Sequence, residues 1–208
     1  MNLLATVIGD VVASRLVADR AGLHDRLADV LGQVNRRWSP ATPLRFTVGD
    51  EFQGAFATIE DALRATLRLR LGLLPAADLR HGLGWGEVSV LQEEPRVEDG
   101  PGWWAARDAI EAVHEAEQHP STRWTRTAIR GDGVDSTVAA LLPLRDRAVD
   151  ALDERGIAIL EGLLDDRTQR EIARSLGITA SAVSQRIRAD GLDALVVSDR
   201  VLDRRPAD

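Results

Sequence analysis

Three carboxylates stand where a folded chain could turn them to chemistry. Asp10 is the sole charged side chain between Met1 and Ser14, at the end of an aliphatic run, and Asp50 and Glu51 follow Gly49 between two apolar segments. An unpaired carboxylate at the end of a buried strand is costly, so something must compensate it. Like charges in close approach repel unless a cation or a proton intervenes. Hard oxygen donors without Cys or His select Mg²⁺ or Mn²⁺, and a Mg²⁺ held by one or two carboxylates usually holds substrate phosphates as well. The pattern therefore predicts Asp10, Asp50 and Glu51 as ligands of a divalent ion that carries a phosphorylated ligand. Taken singly, Asp10 caps a loop and Gly49-Asp50-Glu51 is an exposed turn.

A second set lies near the other end of the chain. Residues 169–187 place small Ala173 where two helices would cross and Gly177 at the turn between them, with Ile172, Leu176, Ile178, Val183 and Ile187 as a shared core. This spacing resembles the helix-turn-helix of phage repressors and many bacterial regulators. The second helix starts near Thr179 or Ser181, either of which can cap it. It would turn Ala180, Ser181, Ser184, Gln185 and Arg188 outward. Gln and Arg are the side chains that reach adenine and guanine edges, and Ser contacts base or phosphate. Thr179, Ser181, Ser184, Gln185 and Arg188 are thus the expected DNA contacts, with Arg167, Arg170, Arg174 and Arg186 near phosphates. Residues 150–208 nonetheless carry 12 acidic and 9 basic side chains, a net of −3, which leaves a three-helix dimerisation or docking module as the other use.

Regular elements must hold these residues. Residues 3–12 form an almost unbroken aliphatic run, β-branched at Thr6, Val7, Ile8, Val11 and Val12, a buried central strand. Residues 19–38 carry Leu23, Leu27, Val30, Leu31 and Val34 at helical spacing and end before Pro40. Segments 44–48 and 52–57 flank Gly49-Asp50-Glu51 as a hairpin. A helix over 60–74, a strand over 79–91, a helix over 103–117 and a last strand over 124–129 follow. The order strand–helix–strand–strand–helix–strand is the split βαβ, ferredoxin-like arrangement. Its first strand lies beside the third, which brings Asp10 near the hairpin tip. From about Asp135 the chain reads as helical, with a helix over 153–164. The fold class expected is α+β: a ferredoxin-like domain over 1–148, then a small all-α domain over 149–208.

Composition narrows the function. With 208 residues, 44% of them apolar and 28% charged, the chain can bury a core and is not disordered. Cysteine is absent, which excludes disulfides and thiolate metal sites. All 26 basic residues are arginine, which removes lysine-based chemistry, and the net charge of −7 argues against a chain coated in nucleic acid. No apolar run reaches the roughly 18–20 residues of a membrane span. The first residues lack a basic region and a cleavage site, so no signal peptide and a cytoplasmic location are expected. The glycines at 82, 84 and 86 lie within a strand and open no helix, so they make no dinucleotide fingerprint.

Thr47 to Phe52, the helix around residues 62–65 and Leu79 to Val88 follow the order of the class III nucleotidyl cyclases. Val48-Gly49-Asp50-Glu51-Phe52 resembles the signature pentapeptide of diguanylate cyclases, which share that fold. Ile8-Gly9-Asp10-Val11-Val12-Ala13-Ser14-Arg15 with Gly49-Asp50-Glu51-Phe52-Gln53-Gly54 resembles the bacterial SatD family. The cyclase resemblance implies a metal at Asp10 and Asp50, triphosphate contacts from Ser14 and Arg15, and Arg107 as the group that stabilises developing phosphate charge. It also shows departures. The cyclase Asn one helical turn before that arginine is Trp103 here, and the purine-selecting Lys is Phe46. Apolar rings cannot make those polar contacts, and each lost transition-state contact costs a factor of about 10² or more.

These residues predict a cytoplasmic, homodimeric, SatD-like DNA-binding regulator. Its degenerate cyclase-like domain would bind Mg²⁺ or Mn²⁺ and a nucleotide, without contact to a membrane. The alternatives are an active Mg²⁺-dependent nucleotidyl-transfer enzyme, or an adaptor that docks a protein through its C-terminal helices.

Overall fold

The structure, a computed structural model, describes residues 2–14 and 17–203. Among these the chain divides into two compact units, Met1–Asp146 and Arg147–Asp208.

The first unit is built on β1 (Asn2–Val11), β2 (Thr42–Phe46), β3 (Phe52–Phe56), β4 (Leu79–Gln92), β5 (Val97–Asp99) and β6 (Thr127–Arg130). They form a mixed six-stranded sheet in the order β2-β3-β1-β4-β5, with β6 parallel to β4. β1 is central because its side chains are apolar on both faces, and it pairs antiparallel with β3 and β4. The expected strand over 124–129 starts at Thr127, because Arg123 to Arg126 turn to let the Arg126 side chain bond the Arg123 and Thr125 carbonyls. β5 was not expected; three residues are too few for an alternating pattern to show.

Helices α1 (Arg20–Trp38) and α2 (Ile59–Leu73) pack together on one face, while α3 (Pro101–Glu117) covers β4, β1 and β6 on the other. Asp19 caps α1 by accepting from the Gly22 amide, and Thr58 caps α2 by accepting from Asp61. The seating of α3 explains the alternate glycines of β4. A Cβ at Gly82, Gly84 or Gly86 would run into the backbone of α3 between Pro101 and Ile110. These glycines form a flat track on which a helix lies at backbone distance. Thr6 Oγ1 fixes the helix end by donating to the Gly102 carbonyl at 2.7 Å. Leu4, Ile8, Val88, Trp103, Ala106 and Ile110 fill the core between that face and α3.

Helix α4 (Ser136–Asp150) carries the chain from the first unit into the second. The second unit continues with α5 (Glu154–Leu164), α6 (Gln169–Leu176), α7 (Ala180–Ala189) and α8 (Leu192–Asp203). Val149, Ile159, Leu160, Ile172, Val183 and Leu192 are its most deeply buried side chains. Gly162 lets α5 and α6 approach, since a Cβ there would stand 2.7 Å from Ile172 Cγ1. Among the described residues no helix is long and apolar enough to cross a membrane.

Candidate functional site

Asp10 is the last residue of β1 whose side chain points to the α3 face, following Thr6 and Ile8 by strand alternation. Its register partner on β4 is Arg80. Arg80 Nε donates to Asp10 Oδ1 at 2.7 Å, and His114 Nε2 of α3 lies 2.9 Å from Asp10 Oδ2. Burial opposes the charge of Arg80, but the bonds and charges of Asp10 and Glu117 outweigh it and raise its pKa.

Asp50 sits in the β2–β3 turn, which Gly49 makes possible at φ +64°. The turn closes through Thr47 N to the Glu51 carbonyl at 2.9 Å and Glu51 N to the Val48 carbonyl at 3.0 Å. Asp50 Oδ2 accepts from the Val11 amide at 3.2 Å, so the hairpin tip does lie against the end of β1. Glu51 turns instead to α3, where Arg107 Nη1 and Nη2 donate to its two carboxylate oxygens at 2.9 and 3.0 Å. The Arg107 guanidinium holds the Glu51 carboxyl below its ordinary pKa, against the opposing pull of burial.

The three carboxylates come close in topology but serve different partners. Among the described residues no group of three or more His, Asp and Glu side chains is placed to hold a metal ion. Both oxygens of Asp10 face cationic or imidazole nitrogens and both of Glu51 face one guanidinium. As it stands this donor set does not fit Mg²⁺ or Mn²⁺, which would have to displace Arg80, His114 and Arg107. The separation follows from strand parity: Asp10 faces α3, whereas Val11 and Asp50 line a cavity on the α1 side.

That cavity measures about 360 Å³, and Ser14, Arg20, His24, Phe46 and Asp50 are among its lining residues. His24 and Phe46 stack within it, with centroids 4.2 Å apart and planes at 19°. Ser14 and Asp50 both line this cavity, while Arg15 lies outside the described residues. A second cavity of about 380 Å³ opens on the α3 side, lined by Ile8, Gln53, Glu98, Trp103, Trp104 and Arg107 among others. Trp103 is buried core, but its indole Nε1 has no hydrogen-bond partner; the same holds for Glu98 Oε2. Trp104 is 59% exposed and donates its Nε1 to Asp99.

In the second unit Thr168 and Glu171 form a reciprocal capping box at α6, and Gly177 ends that helix at φ +65°. Thr179 Oγ1 caps α7 by accepting from the Ala182 amide at 3.1 Å. Thr179, Ser181, Gln185 and Arg188 are exposed and Ser184 is half-buried. Arg188 Nη1 donates to Ser184 Oγ at 2.7 Å, one turn back along α7. Arg186, expected near phosphates, is instead committed to Asp153 at 2.7 Å and Asp190 at 2.8 Å. It points inward because it follows Val183 on the buried side of the helix. Arg170 and Arg174 are exposed.

Sequence reasoning missed Arg80, His114, Gln53 and Glu98. His114 had a signal: it shares one face of α3 with Trp103, Arg107 and Ile110, at spacings of four, three and four.

The family model described as the SatD family matches residues 4–201. The chain belongs to the SatD family. No curated protein matches the SatD-family chain by sequence. Solved structures similar to it include two of a bacterial light-regulated adenylyl cyclase. One is 16% identical with a TM-score of 0.47, covering 61% of this chain and 42% of that one. The other is 15% identical with a TM-score of 0.44, covering 55% and 41%. The SatD-family chain thus spans about two-fifths of their length. A third is the monomeric guanylyl cyclase domain of the RhoGC fusion protein from the aquatic fungus Blastocladiella emersonii, at 13% identity and a TM-score of 0.41, covering 53% of this chain and 75% of that one.

Proposed function

We propose that this SatD-family protein is a DNA-binding regulator whose first unit binds a nucleotide without cyclising it. The observation that carries the reading is the exposed edge of α7. Thr179, Ser181, Gln185 and Arg188 face outward on a helix that is capped at its start and follows a left-handed glycine turn. Gln and Arg on such a helix suit base edges in the major groove. One recognition helix gives little specificity, so the reading takes a homodimer on a two-fold site.

For the first unit the reading favours binding over turnover. Arg107, which a cyclase-like reaction would need at the developing phosphate charge, is neutralised by Glu51. Asp10 is neutralised by Arg80. No step through a metal is part of this reading. Binding is supported by the cavity at Ser14, Arg20, His24 and Phe46, where a guanidinium and a hydroxyl suit phosphate and stacked rings suit a base.

Enrichment of duplexes from a randomised pool by the full chain tests the DNA reading. Wild type should enrich a recurring sequence and lose affinity as salt rises. Gln185→Ala and Arg188→Ala should each weaken binding to that sequence by about 1–3 kcal/mol. Enrichment of nothing, or variants that bind as wild type does, would move the C-terminal helices to protein docking.

A further inference from the structure

We propose that the buried charges linking Asp10 to Asp146 work as one relay, through which occupancy at the end of β1 is felt at the anchor of α4. Asp10 Oδ1 accepts from Arg80 Nε at 2.7 Å, and Arg80 Nη1 donates to Glu117 Oε2 at 2.5 Å. Glu117 Oε1 stands 3.6 Å from Arg126 Nη1, and Arg126 Nε donates to Asp78 Oδ2 at 2.8 Å. Asp78 Oδ1 accepts from Arg70 Nε at 2.7 Å, and Arg70 Nη1 lies 3.5 Å from Asp146 Oδ1. The signs alternate along the whole path. No side chain in it is more than 21% exposed, and Arg70 and Asp146 are 3% and 1% exposed. Charges so poorly screened respond strongly to a change at a neighbour.

Arg126 shortens the path. Its side chain faces Glu117 and Asp78, while its backbone amide donates to Asp146 Oδ2 at 2.7 Å. The Thr127 amide donates to the same oxygen at 2.6 Å. Asp146 is the last residue of the first unit, four residues before α4 ends in the second. What holds Asp146 therefore holds the helix through which the chain leaves the first unit.

Arg80 is the branch point of the path, since its Nε serves Asp10 while its Nη1 serves Glu117. A ligand hydrogen-bond donor that takes the oxygens of Asp10 leaves Arg80 to Glu117. Glu117 is then drawn from Arg126 across the longest link, and Arg126 shifts with its amide bond to Asp146. A group shared in this way couples separated sites when a change at one partner alters its hold on the other. Its regulatory use rests on the proposed function above; the relay itself needs neither nucleotide nor DNA.

Amide hydrogen exchange on the full chain, read at Arg126 and Thr127, tests the relay without either ligand. Asp10→Asn should speed exchange at those two amides about threefold or more, with the amides of Val34 and Ile187 unchanged. Asp146→Asn, which weakens the acceptor directly, should speed the same two amides. Arg80→Lys keeps the charge but loses the fork, and should reproduce the Asp10→Asn pattern if that variant does not fold. Unchanged rates at Arg126 and Thr127, or a uniform rise at every amide, would overturn the relay.

Discussion

Arg107 closes both arms of its guanidinium on Glu51, at 2.9 and 3.0 Å, across 56 residues of sequence. This fork ties α3 to the β2–β3 turn, and so joins the helix that lies on the glycine track to the loop that carries Asp50.

The fork contributes modestly to stability because Arg107 is 46% exposed and Glu51 28% exposed. Glu51→Gln should cost about 0.5 kcal/mol in urea unfolding, after allowance for solvent screening. Glu51 has a lowered folded pKa, so its contribution is present above its ordinary pKa of 4.5 and disappears as pH falls through the folded value. Raised salt should shrink the difference between Glu51→Gln and wild type.

His81 gives a stronger pH dependence. It is fully buried in the β4 core with neither ring nitrogen bonded, and burial drives its pKa down to about 3, with Arg145 and Arg70 nearby reinforcing the shift. The unfolded chain binds the proton at about 6.5, so between 6.5 and 3 the unfolded state holds more protons and stability rises with pH. The folded state should lose roughly 1–2 kcal/mol from this group between pH 6.5 and pH 5. Urea titrations across that range should show the slope, and His81→Met should flatten it.

Gly84→Ala places a methyl against the backbone of Gly102 and Ala106 on α3. The helix must lift, at a cost of about 3 kcal/mol, carrying Trp103, Arg107 and His114 away from the sheet. Thermal unfolding should fall accordingly, whereas Gly133→Ala has open space around its Cβ and should cost only its positive-φ strain.

Nucleoside triphosphates should stabilise the first unit through the cavity beside Ser14. A ligand at 100 times its Kd adds about 2.7 kcal/mol. Arg20→Ala, which removes a cation from that cavity, should abolish the shift while leaving the unliganded Tm close to wild type.

Much of this was written locally in the chain. The β-branched run of β1, the Gly49 turn, and the Thr179 cap after Gly177 are short-range signals, and the structure places each where its pattern puts it. The partners of Asp10 were not legible, because Arg80 and His114 reach it from 70 and 104 residues away. Only the register of β1 against β4 and the seating of α3 decide those contacts. The glycines of β4 were noticed but assigned no role, since their meaning lies in the backbone of another element. Strand alternation likewise turned Asp10 to the α3 face, while Asp50, in the turn, reaches the Val11 amide and lines the cavity on the α1 side.

A regulator of the proposed kind should bind DNA differently with and without nucleotide in its first unit. The direct measurement is fluorescence anisotropy of the enriched duplex titrated with full chain, without nucleotide and then with saturating ATP or GTP. Linkage of ordinary strength predicts a change in Kd of about fivefold or more with one of the two nucleotides, and none for Arg20→Ala. A duplex affinity identical under every condition, in a protein whose Tm rises with nucleotide, would contradict the account.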